Sequence, residues 1–112
     1  KGDRDGALKG FREAERIDRK AFGDDHPEVA TDVNNIGGVL FERGDLAGAR
    51  EKMTEAFRIF VRTYGPRSLE TVQVAKNLLT VDTDPIAIAR ELVGDDAADA
   101  LAEAMAGGTY KT

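Results

Sequence analysis

Phe22-Gly23-Asp24-Asp25-His26-Pro27-Glu28-Val29 is a helix stop followed at once by a helix start. Gly23 can end a helix in the left-handed conformation, and Pro27 suits a first helical turn, where its missing N–H loses no partner. Tyr64-Gly65-Pro66-Arg67-Ser68-Leu69-Glu70 repeats that punctuation 42 residues on, Gly65 answering Gly23. Gly2-Asp3 returns as Gly44-Asp45, Gly6-Ala7 as Gly48-Ala49, Glu13-Ala14 as Glu55-Ala56 and Arg16-Ile17 as Arg58-Ile59. With residues 1–42 laid on 43–84 without a gap, 12 positions are identical. A period of this size means stacked supersecondary units, none able to bury its apolar face alone. Such arrays work as binding surfaces, so the repeat constrains function more than any single residue does.

Each period reads as two helices. Ala7, Phe11, Ala14 and Ile17 recur at helical spacing and predict a helix over 3–22, capped by Asp3 or Asp5. Val29, Val33, Ile36 and Leu40 predict a second over 27–42. Gly37 and Gly38 fall inside it, each costing about 1 kcal/mol against Ala. Such a cost implies close approach of another helix, at least at Gly37. Leu46, Ala49, Met53, Ala56 and Phe60 predict a third helix to about Tyr64, and Leu69, Val72, Ala75 and Leu78 a fourth, capped by Ser68, to about Val81. The period then fails, because Ile86-Ala87 stands where Gly-Asp is due. Asp84-Pro85 and Asp95-Asp96 start two short helices ending near Gly94 and Gly107. Atypical terminal helices are what a repeat array needs to cover its last apolar face, so 84–107 reads as a C-terminal cap and 108–112 as a frayed tail. No alternating strand pattern appears.

The chain has 112 residues, 41% hydrophobic and 33% charged, room for one domain with a modest core. No apolar run approaches the roughly 20 residues that span a bilayer. The absence of cysteine excludes thiolate zinc sites and disulfides and fits a reducing, cytoplasmic setting. Lys1 enters the repeat directly, with neither Met nor a signal peptide before it, as expected of a piece of a longer protein. A net charge of −5 argues against nucleic acid as a partner. The charge is uneven: residues 43–76 carry 7 Lys/Arg and 4 Asp/Glu, whereas 77–112 carry 2 and 7.

The long period, with Phe-Gly-Asp-Asp-His-Pro-Glu-Val-Ala and Val-Asn-Asn-Ile-Gly between Phe22 and Gly37, resembles the tetratricopeptide repeats of the kinesin light chain type. The resemblance covers about residues 2–82. It implies an all-α helical-hairpin solenoid, an α-α superhelix, made of the second helix of one repeat (3–22), a full repeat (27–64) and the first helix of another (68–82). Ser68-Leu69 departs from the family's His-Pro, Leu79 from the small residue at Gly37, and Pro85 interrupts the last second helix. In such proteins the first helices line a concave groove that receives extended peptides. The resemblance places those groove positions at Thr31, Asn34, Asn35 and Gly38, and at Gln73, Lys76, Asn77 and Thr80. Asn and Gln both donate and accept hydrogen bonds, as a peptide backbone requires, and Lys76 offers a point charge to an acidic ligand.

Other chemistry is weakly signalled. His26 beside Asp24, Asp25 and Glu28 is the chain's single histidine, too few for an ordinary zinc site, and a turn role explains the cluster. No phosphate-binding glycine loop appears, since Gly37-Gly38 lies within a helix. Lys52, Arg58, Arg62 and Arg67 interleave with Glu51 and Glu55 and read as a solvated face rather than an RNA or lipid patch. The sequence therefore points to a non-catalytic protein–protein interaction module without metal, cofactor, nucleic-acid or membrane partner. Two alternatives accompany it: a structural end of a longer array, able to self-associate through the uncovered face of helix 3–22, and an acidic tail that folds back over the basic middle and occupies the groove.

Overall fold

The computed structural model describes residues 2–107 and contains six helices, with no strand element among the described residues: α1 (Gly2–Phe22), α2 (Pro27–Glu42), α3 (Leu46–Thr63), α4 (Leu69–Leu79), α5 (Pro85–Val93) and α6 (Asp95–Met105). The expected tail 108–112 lies outside the described residues. The described residues divide into two compact units, with the boundary along the chain between Ala56 and Phe57 of α3.

The helix boundaries are set by local chemistry. Gly23, Gly44, Gly65, Gly94 and Gly107 all have positive φ, which an L side chain resists. The Gly23 N–H donates to the Arg19 carbonyl at 2.9 Å and closes α1. The two first helices start alike with different residues: His26 Nδ1 accepts from the Glu28 N–H at 3.1 Å, and Ser68 Oγ from the Thr71 N–H at 3.2 Å. His26 also stacks on Phe22, ring centroids 4.3 Å apart, which ties the end of α1 to the start of α2. α4 stops at Leu79, two residues before the expected end, and Asp82 takes φ 54° in the turn beyond it.

In the first unit α1 packs on α2. The buried face of α1 differs from the expected stripe. Leu8 is buried and Phe11 and Ala14 are half-buried, but Ala7 and Ile17 are exposed, Ile17 by 50%. The rest of the inner face is polar, with Glu15, Asp18 and Arg19 half-buried. At the same places one period later stand Phe57, Phe60 and Val61, all buried. α2 buries Val29, Val33, Ile36, Val39 and Leu40, as its spacing predicts. Its Gly37 faces α3 so closely that an added Cβ would stand 3.2 Å from Met53 Cγ and 3.4 Å from Lys52 Cβ. Arg19 of α1 reaches α3, its Nη2 2.7 Å from Glu55 Oε2, while its Nε donates to Glu15 at 2.8 Å.

In the second unit α5 and α6 pack on each other and on α4. Ala89, Ala98, Leu101 and Ala104 are buried with Val72, Val74, Ala75 and Leu78 of α4. Phe57 is wholly buried and contributes about 1.5–3 kcal/mol by transfer from water. Leu69, expected on the core stripe of α4, is instead 51% exposed, as it opens the first turn. Asp84 caps α5 by accepting from the Ile86 N–H at 2.9 Å, and Pro85 occupies the first helical position.

The two adjacent glycines of α2 separate experimentally. Gly38 has open space around its Cβ position, so Gly38→Ala should raise unfolding free energy by about 0.5–1 kcal/mol through helix propensity alone. Gly37→Leu must displace Met53 and should lower it by about 1–3 kcal/mol. Urea titrations of both variants check this, and equal effects at the two positions would refute the close approach at Gly37.

Candidate functional site

α2 brings Thr31, Asn34, Asn35 and Gly38 to one face, because spacings of three, four and seven residues share a side of a helix. Thr31 Oγ1 is occupied, donating to the Pro27 carbonyl at 3.1 Å. Asn34 and Asn35 are half-buried, and Gly38 leaves open space. Asn34 Oδ1 is buried without a hydrogen-bond donor. A buried acceptor in that state costs about 1–3 kcal/mol.

α4 presents Gln73, Lys76, Asn77 and Thr80 in the same pattern, all exposed. Thr80 Oγ1 donates to the Asn77 carbonyl at 2.6 Å. The side chains of Gln73, Lys76 and Asn77 make no hydrogen bond or ion pair with other described residues. The two groups of four belong to different compact units, each set by its own helix.

The acidic C-terminal helices do not occupy the α4 face. Although α5 and α6 pack on α4, Gln73, Lys76, Asn77 and Thr80 remain exposed. Part of the acid charge is used locally. Arg90 Nη1 lies 2.9 Å from Asp95 Oδ1, and its Nη2 3.5 Å from Asp99 Oδ1. Arg67 pairs with Glu103, an ion pair between the basic middle and the acidic tail. His26 serves as a helix cap, and the described residues hold no group of three or more His, Cys, Asp or Glu arranged for a metal ion. No described helix is long and apolar enough to cross a membrane.

The sequence reading missed a buried carboxylate. Asp32 of α2 is 8% exposed, and its Oδ2 has no donor. It stands one period before buried Val74, as Asp18 stands before buried Phe60. A polar pair at positions that are apolar in the next repeat was the signal, visible only when the two periods are compared for class rather than identity.

The profile of the tetratricopeptide repeat family matches residues 33–70, from the middle of α2 through α3 into α4. The human "Tetratricopeptide repeat protein 23" is 31% identical over 84 residues, 75% of this chain. The chain spans 19% of the length of that curated relative.

Asp32 makes the α1–α2 seam sensitive to protons. Burial, then the hydrogen-bonded Asp18 carboxyl and its charge, then the charges of Glu28 and Glu15, push the Asp32 carboxyl up to about 7. The unfolded chain releases this proton near pH 4, whereas the folded chain keeps it until about 7. The folded state therefore binds more protons over that window, and stability falls as pH rises through it, then levels off. Relative to Asp32→Asn, the native chain should lose up to about 1.4 kcal/mol per pH unit between roughly pH 4 and 7. Parallel stability–pH curves for the two proteins would show that no proton is held at the seam.

Proposed function

Because the chain is a tetratricopeptide repeat protein, we propose that it is a non-catalytic, cytoplasmic protein–protein interaction module. Its α2 face takes the backbone of an extended peptide, and its α4 face, in the other unit, offers polar groups of the same kind. The repeats of this family mediate protein–protein interaction, and the sequence of these repeats resembles the kinesin light chain type. One observation carries the reading. Asn34 and Asn35 stand half-buried side by side, next to the open surface at Gly38. The half-buried amide side chains of Asn34 and Asn35 offer donors and acceptors that answer both polarities of a backbone. Gln73 and Asn77 offer the same chemistry on α4, and Lys76 adds a charge that favours acidic ligands there.

A second reading rests on α1. Ala7, Ala14 and Ile17 are exposed or half-exposed, yet their counterparts Ala49, Ala56 and Ile59 are buried. The chemistry of this face suits another helix of the same repeat, from a longer array or from a second copy. Sedimentation that stays monomeric at every concentration would remove the second copy from consideration.

Capture from a random peptide library tests the main reading. Asn34→Ala removes an acceptor that has no donor, so the variant should stay folded. Peptides captured by the native chain should bind Asn34→Ala/Asn35→Ala about tenfold or more weakly, and Lys76→Glu should discriminate against acidic members. Unchanged affinity across all captured peptides would overturn the proposal.

A further inference from the structure

A second surface on the first unit has the chemistry of a binding site. Leu8, Lys9, Arg12 and Arg16 of α1, with Asp5, Glu13 and Arg43, line a cleft of about 490 Å³. That volume is within the roughly 300–1,000 Å³ range of ligand clefts. Leu8, 5% exposed, supplies an apolar floor. Four cations face two carboxylates here, in a chain whose net charge is −5.

The cations are arranged in two ways. Arg16 is held by Glu13, its Nη2 2.5 Å from Oε2, and Arg43 by Asp5, its Nη1 3.3 Å from Oδ1. These pairs fix two guanidinium groups in place. Lys9 and Arg12 make no ion pair or hydrogen bond with other described residues, and they carry the surplus charge. The repeat does not require them. One period later Leu8, Lys9 and Arg12 become Arg50, Glu51 and Thr54. Residues that the fold needs recur, as Ala7, Glu13, Ala14 and Ile17 do, whereas the apolar floor and its unpaired cations belong to this unit alone.

We infer that this cleft binds an acidic peptide segment, with carboxylates seated between Lys9, Arg12 and the pinned Arg16 and Arg43, and an apolar side chain over Leu8. Guanidinium forks suit carboxylates in two-bond geometry, and an acidic partner is drawn to a recess whose four cations outnumber its two carboxylates in an otherwise acidic unit. From Asp5 to Arg16 the cleft follows α1 for about 17 Å at 1.5 Å per residue. That length accommodates roughly five extended residues. The inference rests on the reading of the chain as a protein-binding module, and it assigns acidic selectivity to α1 rather than to Lys76 alone.

A fluorescein-labelled ten-residue peptide of alternating Glu and Leu, and its Gln counterpart, serve as probes in polarisation titrations of the native chain. The Glu peptide should bind more tightly than the Gln peptide, and its affinity should fall as salt rises from 50 to 500 mM, since the screening length shrinks to a few ångströms. Lys9→Glu/Arg12→Glu should weaken it about tenfold or more; Lys9→Gln/Arg12→Gln, which keeps helical residues and adds no new charge, should show a smaller loss. Both variants are checked for helicity first. Equal binding of Glu and Gln peptides, no binding of the Glu peptide, or unchanged affinity in both variants would overturn the cleft. Library peptides that still bind the native chain and are lost in Asn34→Ala/Asn35→Ala would then leave the wider module reading standing, and their absence would end both.

Discussion

An amphipathic helix hides its apolar stripe only against another helix, and every part of this chain answers to that constraint. α2 approaches α3 closely at one residue. Its Gly37 admits Met53 and Lys52 of α3 within contact distance, which lets the two helices pack without a side chain between them. The cost of glycine in a helix is thereby turned into a short interhelical distance. The neighbouring Gly38 meets nothing, so the same constraint does not explain it, and its place on the polar face of α2 does.

The two units solve the packing problem with different chemistry. In the second, Phe57, Phe60 and Val61 of α3 lie at buried positions, and α4 buries Val72, Val74 and Leu78. In the first, the matching positions of α1 hold Glu15, Asp18 and Arg19, and Asp32 replaces the valine. Hydrophobic burial is nondirectional and insensitive to pH, whereas a carboxyl pair with a neighbouring guanidinium is directional, salt-sensitive and proton-linked. The exposed ion pairs here, such as Arg43–Asp5, contribute at most about 1 kcal/mol each. The seam between α1 and α2 thus depends more on Leu8, Phe11 and the protonation of Asp32 than on its number of charges.

The sequence made the helices and their boundaries legible because caps and glycine stops are local signals. His26, Ser68 and Asp84 act within three residues of themselves, so no tertiary information was needed. The core of α2 was equally plain from Val29, Val33, Ile36 and Leu40. The core of α1 was not. Its stripe of Ala7, Phe11, Ala14 and Ile17 describes the face that the repeat covers elsewhere, while the face covered here runs through Leu8 and three charged residues. A hydrophobic pattern cannot announce a seam built from carboxylates and an arginine. The candidate peptide face came from a family pattern at known register, and the state of its groups, Thr31 and Thr80 occupied and Asn34 without a donor, required coordinates.

The positions that break the repeat are therefore the informative ones. Conserving Ala, Glu and Ile at matching positions serves stacking, which any member of an array must do. Replacing Phe60 by Asp18, Val74 by Asp32, Arg50 by Leu8 and Glu51 by Lys9 serves nothing that stacking demands, since the other unit packs without it. The buried Asp32 carboxyl and a cation-lined cleft both carry a free-energy cost in the isolated unit, one from desolvation and one from like charges held together. The neutral amides of α2 are suited to a peptide backbone, which every protein shares, and the cations of α1 to side chains, which distinguish one protein from another. On the proposed reading, affinity from the first and selectivity from the second is a division of labour between two helices of one unit.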